Sequence, residues 1–153
     1  MLARFVRELS GQAAVVETVI MLIMLIAFFG GFSAYAVATH ARAVVIGAAT
    51  VAGRAASIQC GQGAPGWQAD ATAVAEAALR AGGLQLGASQ SGSTRPGAWS
   101  VSFQGSCTAG SQVSVTVSYN QLDLFPFVAP LLGQGAAAGW SFDLASTAVY
   151  PVE

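Results

Sequence analysis

The chain of 153 residues predicts an α+β protein: a long N-terminal transmembrane helix continues into an exported domain, where a second helix packs on a small antiparallel sheet. Three observations carry this. Residues 18 to 39 form an apolar run with no charged side chain. Residues 41 to 58 and 68 to 81 keep a helical period in their apolar positions, and from residue 84 onward the period shortens to two, as half-buried strands require.

The run from Thr18 to Thr39 is long enough to cross a hydrocarbon core about 30 Å thick, which takes roughly 20 helical residues. Arg4 and Arg7 precede it. Short positively charged segments stay on the cytoplasmic side, so the expected topology is single-pass, with the N-terminus inside and everything after His40 outside. A cleaved secretory signal, with Ala36-Val37-Ala38 as the cut, fits less well, because signal h-regions span only about 7 to 15 residues.

Ahead of the run lie a short basic leader, then Ser10-Gly11, then the helix start with Glu17 as its one carboxylate. A charge at the rim of an apolar segment must reach the headgroups or find a partner. Two readings of Glu17 stay open: a snorkelling rim residue, or a group that pairs with a positive charge on another subunit and sets the register of assembly. Within the run, Ala27, Gly30, Gly31 and Ala34, followed by Ala38, give small-xxx-small spacings that let helix backbones approach closely or mark a flexible point.

Past the membrane the helical pattern persists. Val44, Ala48, Val51, Ala55 and Ile58 are spaced four, three, four and three apart, a stripe that suits a neighbouring helix or the protein's own globular part. Cys60 then leads into Gly61-Gln62-Gly63-Ala64-Pro65-Gly66, which ends the helix. The expected domains are therefore a leader over 1–11, an anchor and continuous helix over 12–58, and an extracytoplasmic α+β head over 59–153.

In the head, residues 68 to 81 read as a helix with Asp70 in its first turn, Arg80 in its last, an i,i+4 pair Glu76–Arg80, and Gly82-Gly83 closing it. Its apolar side, Trp67, Ala71, Val74 and Ala78, is expected to pack on a sheet. Trp99 to Phe103 and Val113 to Tyr119 alternate apolar and small polar residues and form a hairpin about the loop Gly105 to Ser111. A third strand runs from Trp140 to about Tyr150, Leu84 to Leu86 offers a short edge, Gly87 to Gly97 is a loop, and residues 122 to 132 make an apolar crossover broken by proline.

An exported part of about 110 residues buries only a modest core, and two cysteines in such a compartment most simply form one disulfide, Cys60 with Cys107. Two thiolates without a nearby His do not complete a zinc site, so no metal is expected. A formal net charge of −1 with no lysine offers no basic patch for nucleic acid. His40 has no acid or nucleophile nearby in the sequence, and Asp123 and Asp143 are isolated. No catalytic set, cofactor or small-molecule substrate is expected.

With Gly11-Gln12-Ala13-Ala14-Val15-Val16-Glu17, the long apolar helix and the α+β body in view, the chain resembles the TadE-like minor pilins and pseudopilins of the tight-adherence (Tad, type IVc-like) pilus system, in its actinobacterial form. Gly53-Arg54-Ala55-Ala56-Ser57 resembles the family's Ala/Arg-rich helix continuation, and the Val113 to Tyr119 strand with the Thr147 to Glu153 tail resembles its actinobacterial ending. The resemblance implies cleavage by a prepilin peptidase after Gly11, leaving Gln12 as the new N-terminus, and a place in pilus assembly and surface adhesion. The implied partners are membrane lipid, the peptidase, other pilins and Tad assembly proteins. Two positions depart from the family pattern: such a cut makes Glu17 the sixth mature residue where the family has its Glu fifth, so either the cut falls at Gln12-Ala13 or the spacing is relaxed, and Ile23 stands where Pro is frequent. The competing expectation is a single-pass membrane-anchored envelope or binding protein that does not assemble.

Overall fold

A computed structural model describes residues 2–87, 97–121 and 142–152, with side chains from residue 15 onward except Phe142. Two helices and three strands follow in the order α1 (Leu2–Gly61), α2 (Trp67–Ala81), β1 (Trp99–Gly105), β2 (Gln112–Gln121) and β3 (Phe142–Pro151). The arrangement is α+β, as the change of period predicts. The helix runs through the leader as well, because nothing between Leu2 and Gln12 is a Pro or a Gly pair that would break it. The chain divides into two compact units, Met1–Ala36 and Val37–Glu153, so the body begins inside α1.

In the second unit the strands form one antiparallel sheet in the order β1-β2-β3. Trp99 pairs with Tyr119 and Phe103 with Val115, while Val113 pairs with Tyr150 and Val117 with Ser146. This register puts Val113, Val115, Val117 and Tyr119 on one face, all buried. Because side chains alternate along a strand, the other face carries hydroxyls: Ser100 and Ser118 meet at 2.7 Å, as do Thr116 and Thr147.

Both helices contribute to the core on the buried face. From α1 come Val45, Ala48, Ala49, Ala52, Ala56 and Cys60, and from α2 come Ala71, Ala75 and Leu79, joined by Trp99 and Val152. The α1 face differs from the expected stripe. Val51 and Ile58 are 53% and 52% exposed, Val44 and Ala55 are half-buried, and of that set only Ala48 is buried. The contact falls instead on alanines and on Gly53, where a Cβ would lie 2.8 Å from the Tyr150 ring and 3.2 Å from the Ala148 Cβ. Small side chains let helix and strand approach closely, and Val51 and Ile58 turn outward. Ser57 donates a hydrogen bond of 2.6 Å to the Pro151 carbonyl and ties α1 to the end of β3.

The second helix begins at Gly66, whose φ of 83° is open to glycine at little strain. Its end is held by Gly82, where a Cβ would come within 2.7 Å of Val44 Cγ2, and by Gly83 at φ 79°. Glu76 and Arg80 pair at 2.7 Å. Ala71 is buried and Trp67, Val74 and Ala78 are half-buried, with Ala75 and Leu79 completing the inward face. Trp67 meets Phe103 of β1 edge to face, ring centroids 5.3 Å apart.

Ser106 to Ser111 join β1 to β2, as the hairpin requires. Leu84 to Leu86 form no strand. Leu84 and Leu86 pack against the core, and the Gln85 carbonyl accepts a 3.2 Å bond from the Tyr119 hydroxyl, so the segment serves as a packing strap. The third strand is described from Phe142; Trp140 and Ser141, most of the Gly87 to Gly97 loop and the 122 to 132 crossover lie outside the described residues.

Candidate assembly surface and membrane segment

The described part of α1 from Val15 to Gly61 is long and apolar enough to cross a membrane. Between Val15 and Tyr35 it exposes fourteen large apolar side chains, from 49% at Val19 to 70% at Met24, Phe28 and Tyr35. Covering an apolar side chain gains about 1.5–3 kcal/mol, so this surface is worth on the order of 20 kcal/mol to whatever covers it. Charged residues disfavour insertion by roughly 3 kcal/mol at a helix centre. One carboxylate near the start of the run does not reverse that balance.

Glu17 is exposed on this helix, and among the described residues no basic side chain forms an ion pair with it. Ala27 and Gly31 are exposed, and Gly30 and Ala34 are half-buried. Their spacing puts all four on one helix face, and a Cβ at Gly31 would meet nothing within 4 Å. Ser33 donates a 2.8 Å bond to the Phe29 carbonyl, one turn back, which satisfies its hydroxyl inside the helix. Gly11 and Gln12 lie within α1, their surroundings outside the described side chains.

Sequence reasoning passed over the aromatic group Phe28, Phe29, Phe32 and Tyr35, all exposed in the second half of the run. The signal was present in Tyr35 alone, since Tyr favours the membrane–water boundary whereas Phe partitions into the hydrocarbon core like Leu or Ile. His40, one residue beyond the run, lies 3.1 Å from the Gly82 carbonyl through Nε2, so it meets the end of α2.

Cys60 and Cys107 form the disulfide, their Cα atoms 5.0 Å apart and 47 residues apart in sequence. It joins the last turn of α1 to the β1–β2 loop. The described residues contain no group of three His, Cys, Asp or Glu able to hold a metal ion. Burial raises the Tyr119 hydroxyl above its ordinary pKa of 10.0.

Fold and surface together define a class: an α+β body whose first helix begins as a membrane-length apolar segment. Comparison with protein-family models, with curated proteins and with solved structures finds no match for this chain.

Proposed function

We propose that the chain is a non-enzymatic minor pilin or pilus biogenesis component of the tight-adherence type, anchored in the cytoplasmic membrane with its body outside. The observation that carries this is the uncovered apolar surface of α1 from Val15 to Tyr35, joined to a disulfide-tied body. Such a surface is stable among lipid tails and is equally well covered by other apolar helices, so one segment suits both a membrane-inserted precursor and a subunit bundled with its neighbours.

In this reading a prepilin peptidase cuts after Gly11. The α-amine freed on Gln12 then meets the carboxylate of a neighbour's Glu17, a charge pair that low dielectric strengthens and that fixes the axial offset between subunits. The small residues Ala27, Gly30, Gly31 and Ala34 permit close helix approach.

Intact-mass measurement of the protein from cells with and without the peptidase tests processing. The expected result is loss of residues 1–11 only where the peptidase is present; an uncleaved Met1 in both strains counts against it. Glu17→Ala separates assembly from simple anchoring: loss of pili is expected, whereas undiminished piliation favours an anchored envelope or binding protein.

A further inference from the structure

At the far end of α1 the body holds a cleft of about 400 Å³ lined by Arg54, Ser57, Ile58, Gly61, Gln62, Tyr150 and Pro151. That volume lies within the range of small-ligand sites. Close contacts fix its walls. The Tyr150 ring rests against Gly53 with no room for a side chain between them, and the Ser57 hydroxyl bonds to the Pro151 carbonyl. Beside Gly61, Cys60 is held to the hairpin loop by the disulfide.

The one charged group of the cleft is a pure donor, and its amide and hydroxyl can donate or accept. Arg54 brings a planar guanidinium with five N–H groups and no acceptor, Gln62 an amide and Tyr150 a hydroxyl. Three of the last four carbonyls of α1 are engaged: Ile58 O accepts from Gln62 N at 3.1 Å, Gln59 O from Ala64 N at 3.1 Å, and Cys60 O from Gly63 N at 3.0 Å, while Gly61 O is left as an acceptor that an anion must approach from the Arg54 side. None of the acids whose side chains are described, Glu17, Asp70, Glu76 and Asp143, lines the cleft, and Glu76 is paired with Arg80. Beside the cation lies an apolar surface, Pro151 and the half-exposed Ile58.

We propose that this cleft binds a carboxylate borne beside an apolar group, as a peptide C-terminus or an acidic side chain presents it, with Arg54 as the anion-binding residue. A guanidinium matches a carboxylate in a two-point, charge-assisted geometry. A phosphate fits less well, because its charge of about −1.5 to −2 would meet a single cation here. The inference stands apart from pilus assembly, since it uses only residues of the body.

The test uses the full chain in detergent micelles, labelled with ¹⁵N-arginine, and follows the Arg54 Nε–H signal. N-acetyl-leucine supplies a terminal carboxylate, acetyl-Leu-Glu-amide a side-chain carboxylate, and N-acetyl-leucine amide the same apolar group without charge. The expected result is a saturable shift at Arg54 with at least one carboxylate, none with the amide, and none at Arg42, an exposed arginine on the same helix. Arg54→Gln should weaken binding at least tenfold, read from the Tyr150 ring protons, with the fold checked by circular dichroism. A response equal for amide and carboxylate, a non-saturating drift shared with Arg42, or a response to inorganic phosphate alone overturns the proposal. So does an Arg54 signal that is insensitive to every probe until Glu153→Gln is made, which would assign the cation to the chain's own carboxylate.

Discussion

At Gly53 the missing side chain decides how closely α1 lies on β3. A Cβ there would stand 2.8 Å from two carbons of the Tyr150 ring, well inside ordinary van der Waals contact. Forcing extra atoms into such a contact typically costs about 1–3 kcal/mol. Gly53→Val should therefore lower stability by that amount in urea unfolding of the detergent-solubilised chain, and adding Tyr150→Ala should recover part of the loss. Equal losses in the single and double variants would mean that the ring is not what the new side chain meets. A second residue makes stability depend on pH. Tyr119 is buried and its hydroxyl pKa is raised above 10.0 by loss of solvation. The folded state holds the proton more tightly than the unfolded state, so this contribution is fully present below pH about 10 and is lost as pH rises through the folded pKa. Tyr119→Phe should flatten the alkaline limb of the stability profile while leaving its shape between pH 6 and 9 unchanged.

Among elements, α1 shows where reading from sequence succeeds and where it stops. The strands were legible because Val113, Val115 and Val117 alternate with Ser114, Thr116 and Ser118, and only one register buries the apolar set. The helix was equally legible as a helix, but its buried side was not. Counting bulk favours Val51 and Ile58, whereas the side of α1 buried in the core is mostly Ala48, Ala49, Ala52 and Ala56, with Gly53 against Tyr150 of β3. A close approach rewards small residues, and a search for the bulkiest apolar stripe looks past them. The Arg54 cleft was illegible for another reason: its walls come from α1 and from β3 at the opposite end of the chain, and no local pattern joins them. The disulfide acts at this scale too. It closes a loop of 47 residues, worth about 4 kcal/mol in the chain-entropy model. A body built largely on alanine buries little area per residue, so the crosslink should matter. Cys60→Ser with Cys107→Ser is expected to lower the midpoint of thermal unfolding by several degrees or more, measured against the oxidised parent. A shift under one degree would show that helix and hairpin dock firmly without it.

For the whole molecule, partition into lipid and assembly with other subunits depend on different side chains, and this permits a separation. Partition rests on the summed apolar area from Val15 to Tyr35, on the order of 20 kcal/mol, to which any single residue is a minor contributor. A lysine at the middle of the run, Leu25→Lys, subtracts about 3 kcal/mol at the depth where a charge is least tolerated. That weakens insertion but leaves most of the driving force. Four lysines, Leu22→Lys, Leu25→Lys, Ile26→Lys and Phe29→Lys, each adding such a charge and removing an apolar contribution of about 1.5 kcal/mol or more, cancel most of it and should shift much of the protein from the membrane pellet to the alkaline-carbonate supernatant. Glu17→Ala moves the balance the other way, because it deletes the charge from the rim. Membrane retention should be unchanged or slightly higher, while pili are lost under the proposed function. If Glu17→Ala released the protein from the membrane, the carboxylate would be an anchoring group through headgroup contacts, and subunit pairing would lose its support. If the four-lysine variant stayed in the membrane pellet, the apolar run would not be what holds the chain there.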